Sequence, residues 1–243
     1  MISRNIKKIK IISNKLYSIL STLSLNDFLK DENGGLVLPL NGKALNDEEW
    51  IKFKALKIDK NIKSIKKSKL PFDFCEKACV LVDEFRRKTY NLEEEWVIYF
   101  DYSTGEVIYC FEGTSGECKC KYERINFNNK NIASIHNHPM NYFSFPSPNN
   151  FDILKNDFED YEIIIAFNSY WIIKYKGIIN ENEKKIINEE IKFIINEIGN
   201  KIIQNNNYDK DKINYKIEYN VSEFLLNYFN KKTKIKAYKM EYE

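Results

Sequence analysis

The sequence predicts an α/β (α+β) protein in which helices pack on a β-sheet. Residues 96–100 and 107–111 are short apolar runs on either side of a Ser-Thr-Gly turn at residues 103–105, a pattern typical of a β-hairpin. Residues 181–205 repeat isoleucine at intervals of three and four, which predicts an amphipathic helix of about six turns. A helix of that kind is expected to pack along the sheet.

The N-terminal part of the chain, residues 1–91, is predicted to be mainly helical. Apolar residues recur at three and four positions over residues 6–23, which indicates an amphipathic helix. The lysine-rich stretch at residues 57–69 is typical of a linker, and Pro71 follows it at a position where a helix can begin. We therefore expect a second helix over residues 72–90.

The rest of the chain divides into a domain at residues 92–206 and a C-terminal extension at residues 207–243. The further elements predicted for the domain are a strand at residues 118–122, a strand at residues 131–135, a helix at residues 149–158 and a hairpin at residues 163–167 and 170–175. In the extension, apolar and polar residues alternate over residues 213–219, which is typical of an extended segment. A helix is predicted for residues 222–229.

Composition and charge exclude several classes of partner. The chain has 243 residues, and its 38 basic residues nearly balance its 35 acidic ones, so no overall field attracts nucleic acid or an anionic membrane. No apolar run reaches the roughly 20 residues that cross a bilayer, and the N-terminus has no cleavage site of the secretory type. We expect a soluble, cytoplasmic protein that binds neither nucleic acid nor membrane.

The five cysteines are an odd number in a chain without a secretion signal, which favours reduced thiols over a disulfide framework. Cys118 and Cys120 lie two residues apart on a predicted strand and so share one face. Such a pair could bind a metal, although a Cys-x-Cys motif alone is a weak signal.

The only two histidines of the chain, His136 and His138, follow the predicted strand at residues 131–135 and come directly before Pro139. Side chains two residues apart on a strand point the same way, so both imidazoles converge on one side, as a pair of zinc ligands requires. The alternative is a loop fragment in which the histidines bond to the backbone.

Hydroxyl and carboxylate groups that could complete such a site occur on both sides of the histidines. Ser144, Ser147 and Asp152 follow them, and Glu93, Glu94 and Glu95 lie upstream at the start of the first predicted strand. Of the three glutamates, Glu95 abuts the strand, and Glu94 would point to the opposite face. A solvated acidic turn is the alternative interpretation of this cluster.

The arrangement resembles the JAB/MPN (JAMM) metalloprotease family, whose signature is an upstream glutamate, a strand ending in HxHP, and a serine and an aspartate spaced SxxD at the opening of a helix. The matching parts are EWVIYFD at residues 95–101, IHNHP at residues 135–139 and FPSPNNFDIL at residues 145–154. The resemblance covers about a third of the chain, residues 95–175.

The resemblance implies a JAB/MPN-like (cytidine-deaminase-like) mixed sheet flanked by helices and a zinc-dependent hydrolase of peptide or isopeptide bonds. His136 and His138 would bind Zn²⁺, Glu95 would act as general base on the metal-bound water, and Ser147 would stabilise the oxyanion. Family members often cleave isopeptide bonds that join ubiquitin-like tails to lysine. A protein or peptide substrate, with ubiquitin-like proteins as one class, is therefore expected.

The identity of the third metal ligand is undecided between two residues, because the sequence departs from the SxxD spacing. Counting from Ser147 reaches Asn150, and Asp152 comes two residues later. Phe151 and Leu154 follow Asn150 in the helical phase that the family's aspartate has, which favours Asn150, whereas a later helix start would favour Asp152. An amide oxygen is a poorer zinc ligand than a carboxylate, so Asn150 predicts weak metal binding.

Three functions therefore stay open. The first is an active metal-dependent peptidase or isopeptidase, and the second is a JAB/MPN-fold protein-binding module that has lost catalysis through Asn150. The third is a bacterial defence or toxin component, suggested by the systems in which the family occurs. Stoichiometric zinc separates the first function from the second.

Overall fold

The structure is a computed structural model. It describes residues 29–30, 36–37, 47–114, 131–139, 146, 159–175, 181–204 and 210–242. Strands β1 (Leu29–Lys30) and β2 (Leu36–Val37) form an antiparallel pair in one compact unit. All other described residues belong to a second unit, to which the following description is confined.

The second unit is built on a six-stranded mixed sheet. Its strands are β3 (Trp96–Asp101), β4 (Glu106–Glu112), β5 (Ile132–Asn137), β6 (Tyr161–Ile165), β7 (Ser169–Lys174) and β8 (Lys236–Glu241). The order across the sheet is β4-β3-β5-β6-β7-β8, with β5 and β6 parallel and every other pair antiparallel. A mixed α+β architecture is thereby confirmed.

Helices cover both faces of this sheet. They are α1 (Asp47–Ala55), α2 (Glu76–Thr89), α3 (Glu181–Gln204) and α4 (Lys210–Lys232). On one face, Phe53 of α1 and Phe85 of α2 share a core with Ile135 of β5. On the other face, Phe229 of α4 shares a core with Trp171 of β7. Cover on both sides explains why β3, β5 and β6 are buried along their whole length.

The helices predicted for residues 72–90 and 181–205 are confirmed as α2 and α3, and both predicted hairpins form. The segment at residues 57–69 also packs on α2, since Ile65 is buried and its backbone N–H donates to Asp83 Oδ1 at 2.8 Å. None of the described helices combines the length and apolarity that a bilayer crossing requires. The elements predicted for residues 6–23, 118–122 and 149–158 lie outside the described residues.

The prediction of an extended segment at residues 213–219 is wrong, because α4 runs through it. Val221, Leu225 and Phe229 are fully buried against the sheet, and Ile217 packs against the same core. These positions recur every four residues and so form one side of a helix. The free energy gained by burying that side of the helix exceeds the preference of the alternating residues for an extended conformation.

Gly105 closes the β3–β4 hairpin in the left-handed region, with φ of +74°. A Cβ at this position would lie 2.5 Å from Lys77 Cβ and 2.9 Å from the backbone nitrogen of Ala78, both in α2. We expect Gly105→Ala to lower the free energy of unfolding by about 1–2 kcal/mol for the backbone conformation alone, with a further loss from displacement of α2. Urea denaturation measures the change.

A matched control is Gly199→Ala in α3. The nearest atom to a Cβ there is Ile217 Cδ1 at 4.0 Å, which is ordinary contact. Because glycine is a poor helix former, we expect this variant to gain up to about 1 kcal/mol. A Gly105→Ala protein as stable as the Gly199→Ala protein would contradict the account of the turn.

Candidate metal centre

The two histidines lie at the end of β5, in the middle of the sheet. His136 is 6% exposed and His138 is 8% exposed, and their ring centroids are 5.3 Å apart. The backbone N–H of His138 donates to the carbonyl oxygen of Ile165 at 2.8 Å, which holds the chain against β6 just beyond the last residue of β5. The predicted convergence of both imidazoles on one side is confirmed.

Glu95 reaches the histidines because β3 pairs antiparallel with β5. Val97 is opposite His136 in this pairing, so the residue before β3 lies near the end of β5. The ligand atoms of Glu95, His136 and His138 all lie within 4.8 Å of one another. This group, formed by a partly buried carboxylate and two buried imidazoles, could hold a metal ion.

A second carboxylate lies behind the first imidazole. Glu162 of β6 places Oε1 at 3.8 Å from His136 Nδ1, and Oε2 accepts a 2.9 Å hydrogen bond from the Tyr175 hydroxyl. Carboxylates beyond a metal-binding histidine fix the ring orientation and raise its basicity. Burial, and then the nearby His138, hold the pKa of His136 well below its usual value, so the ring is neutral, as metal binding requires.

Sequence reasoning missed Glu162, and the signal for it was a lone charged residue in an otherwise apolar strand. A fully buried strand rarely carries an unpaired carboxylate, because burying a charge without a partner is costly. Glu162 is the second residue of β6 and is 5% exposed. Such a residue points either to a buried ion pair or to a functional site.

Glu159, two residues before β6, is also buried and 5% exposed. Burial raises its pKa well above the usual value, the charge of Glu162 raises it further, and a hydrogen bond with Ser134 lowers it. Within the described part of the chain, Glu159 Oε2 has no hydrogen-bond partner. The carboxyl group is therefore held in its neutral, protonated form.

We expect Glu159→Gln to stabilise the protein at neutral pH. In the unfolded chain this carboxyl loses its proton above about pH 4.5, whereas in the folded protein it keeps the proton up to its raised pKa. The wild type therefore loses stability as the pH rises through that window, and the neutral amide removes the loss. The free energy of unfolding of Glu159→Gln should equal that of the wild type near pH 4 and exceed it by on the order of 1 kcal/mol or more at pH 7.

Urea denaturation at the two pH values tests this. The matched control is Glu197→Gln, at a solvent-exposed position of α3. Its free energy of unfolding should change little at either pH. Equal stability of wild type and Glu159→Gln at pH 7 would show that the carboxyl is charged in the folded state.

The other residues predicted for the site, Ser147, Asn150 and Asp152, lie outside the described residues, as do Cys118 and Cys120. Pro146, directly before Ser147, is described and buried. Its carbonyl oxygen accepts a 3.0 Å hydrogen bond from the Ser222 hydroxyl of α4. Sequence reasoning gave the C-terminal extension no part in the site, and this contact attaches the extension to the stretch where the SxxD-like motif begins.

The donor set consists of two imidazole nitrogens and one carboxylate oxygen. These are donor types that Zn²⁺ takes in catalytic sites, where three protein ligands leave a position for water, and imidazole also suits copper, iron and nickel. The group could therefore hold a metal ion. No protein-family model, no curated protein and no solved structure matches this chain.

Proposed function

We propose that this protein is a zinc-dependent hydrolase of peptide or isopeptide bonds with a JAMM-type site. One observation carries the proposal: the ligand atoms of Glu95, His136 and His138 lie within 4.8 Å of one another at the end of a buried strand. Three such groups rarely gather by chance, since buried charged and imidazole side chains are costly unless they are paired or bind a metal.

Under this proposal the residues of the site have separate roles. His136 and His138 hold the ion as neutral imidazoles, and Glu162 keeps the His136 ring in its orientation. A zinc ion bound there supplies a water of lowered pKa and a Lewis acid for the scissile carbonyl. Glu95 accepts a proton from the attacking water and delivers it to the leaving amine.

Two further roles rest on the family resemblance. Ser147 would donate a hydrogen bond to the negative charge that develops on the carbonyl oxygen. Either Asn150 or Asp152 would complete the ligand set, and the carboxylate of Asp152 would bind the ion more strongly than the amide of Asn150. The mixed sheet with helices on both faces is consistent with a JAB/MPN-like fold.

The test is the metal content and activity of the purified full chain. We expect about one zinc per chain by elemental analysis, and zinc-dependent cleavage of quenched peptides or of ubiquitin-like proteins joined to lysine by an isopeptide bond. A chelator should abolish cleavage, and added zinc should restore it. A folded protein that binds no zinc when titrated with it would rule the proposal out.

One residue favours a second function, that of a JAB/MPN-fold protein-binding module without activity. Counting the family's SxxD spacing from Ser147 reaches Asn150 instead of an aspartate, and a neutral ligand in that position would weaken zinc binding. The same measurement separates the two functions. A stable, metal-free protein with no hydrolysis would support the binding module.

A further inference from the structure

Asn137, the middle residue of the His-Asn-His sequence, points away from the histidines. Alternation along β5 sends its side chain to the opposite face of the sheet, where it is 2% exposed. Its amide makes two hydrogen bonds there. The backbone N–H of Trp96 donates to Asn137 Oδ1 at 2.8 Å, and Asn137 Nδ2 donates to the carbonyl oxygen of Glu94 at 3.1 Å.

These two bonds bracket Glu95, because they reach the residues immediately before and after it. Beyond Asn137 the backbone of β5 turns to its other neighbour, because the N–H of His138 donates to Ile165, on the side of β6. Pro139 then has no N–H to offer. The side-chain amide of Asn137 therefore supplies bonds from β5 to the main chain on both sides of Glu95.

The other side of Glu95 is held by the strand next to β3. Gly113 donates its N–H to the Glu95 carbonyl oxygen at 2.7 Å, and Glu95 donates its own N–H to the Thr114 carbonyl oxygen at 3.0 Å. The main chain at Glu95 is thus bonded towards β4 directly and towards β5 through Asn137. A main chain held from both sides fixes the point from which the Glu95 side chain extends towards the imidazoles.

We propose that Asn137 is a positioning residue, which fixes the carboxylate of Glu95 against His136 and His138. This inference rests on the proposed metal centre and adds to it a residue that touches neither metal nor substrate. The position requires one hydrogen-bond donor and one acceptor in a planar group. Aspartate has the same shape but only accepts, so it would lose the bond to Glu94 and face that carbonyl oxygen with a negative charge.

The test is a double-mutant cycle with Co²⁺ as the probe, read from its visible absorption spectrum and its affinity. In the wild-type background, Asn137→Asp should change the visible spectrum of bound Co²⁺ and lower kcat/KM by about 10- to 100-fold, as changes to residues beyond the metal ligands do. In the Glu95→Gln background the same substitution should have less than about a twofold effect, because its target is already lost. Asn131→Asp, at the exposed residue before β5, should leave Co²⁺ binding unchanged.

The outcomes separate this inference from the proposed function. Absence of Co²⁺ and Zn²⁺ binding in the wild type overturns the proposed function and the inference together. Binding in the wild type, with Asn137→Asp acting equally in both backgrounds or not at all, overturns the inference alone. Circular dichroism checks folding, and if Asn137→Asp and Asn137→Ser are both unfolded, the amide serves folding rather than positioning and the inference is also overturned.

Discussion

His138→Ala is expected to bind zinc at least about 100-fold more weakly than the wild type and to lose hydrolytic activity with it. Changes beyond the ligands cost roughly 10- to 100-fold in affinity, and loss of one of two imidazole ligands should cost more. His138 is the better choice of the two histidines because it follows β5, so the strand pairing stays intact. Removal of His136 would also leave Glu162 without the imidazole beside it. Isothermal titration with zinc measures the affinity.

Two cysteine variants serve as controls for metal held elsewhere. Cys75→Ser keeps a side chain that caps the start of α2, and it should retain one zinc per chain. Cys118→Ser combined with Cys120→Ser removes the other pair that the sequence suggests. Zinc that survives His138→Ala but is lost from the double cysteine variant would assign the metal to the cysteines and contradict the proposed centre.

Glu95→Gln is expected to lower kcat/KM by about 10²- to 10⁴-fold, the contribution of a positioned general base. Folding should be preserved, because glutamine keeps the size of the side chain and the main-chain hydrogen bonds of this position and its neighbours. Steady-state hydrolysis of the substrate found for the wild type, at equal zinc occupancy, gives the value.

Glu94→Gln is the matched control, since it removes the same charge one residue away, from an exposed side chain, and keeps the carbonyl that Asn137 bonds. Its kcat/KM should remain within about twofold of the wild type. Equal losses of kcat/KM in Glu95→Gln and Glu94→Gln would point to a general effect of the missing negative charge rather than to a general base. A fall in zinc affinity for Glu95→Gln as large as that for His138→Ala would make Glu95 a ligand, and its role as general base would be wrong.

The local part of the site could be predicted from the sequence. The convergence of His136 and His138 depends only on the alternation of side chains along a strand, a property of neighbouring residues. The choice of Glu95 over Glu94 used its place next to the strand and the resemblance to the family's glutamate, and the structure brings Glu95 to the histidines. The α+β class followed from the hairpins and from the isoleucine spacing of α3, which are also local patterns.

Residues far apart in sequence needed the tertiary structure. Glu162 and Glu159 come more than twenty residues after the histidines. Only the parallel pairing of β5 with β6 places Glu162 beside Ser134 and near His136. Asn137 could be identified from the sequence as the residue between His136 and His138. Its bonds to the chain around Glu95 depend on the register between β3 and β5.

The histidine pair and the fold class were therefore determined by the sequence itself, because backbone geometry translates spacing directly into side-chain direction. The tertiary structure alone decided that Glu162 lies beside His136, and it turned the alternating segment at residues 213–219 into part of α4. The physical reason is the same for the carboxylate and for the helix. Strand register and helix burial are set by the free energy of a core that is built from segments far apart in the sequence, and a local sequence pattern holds no information about those contacts.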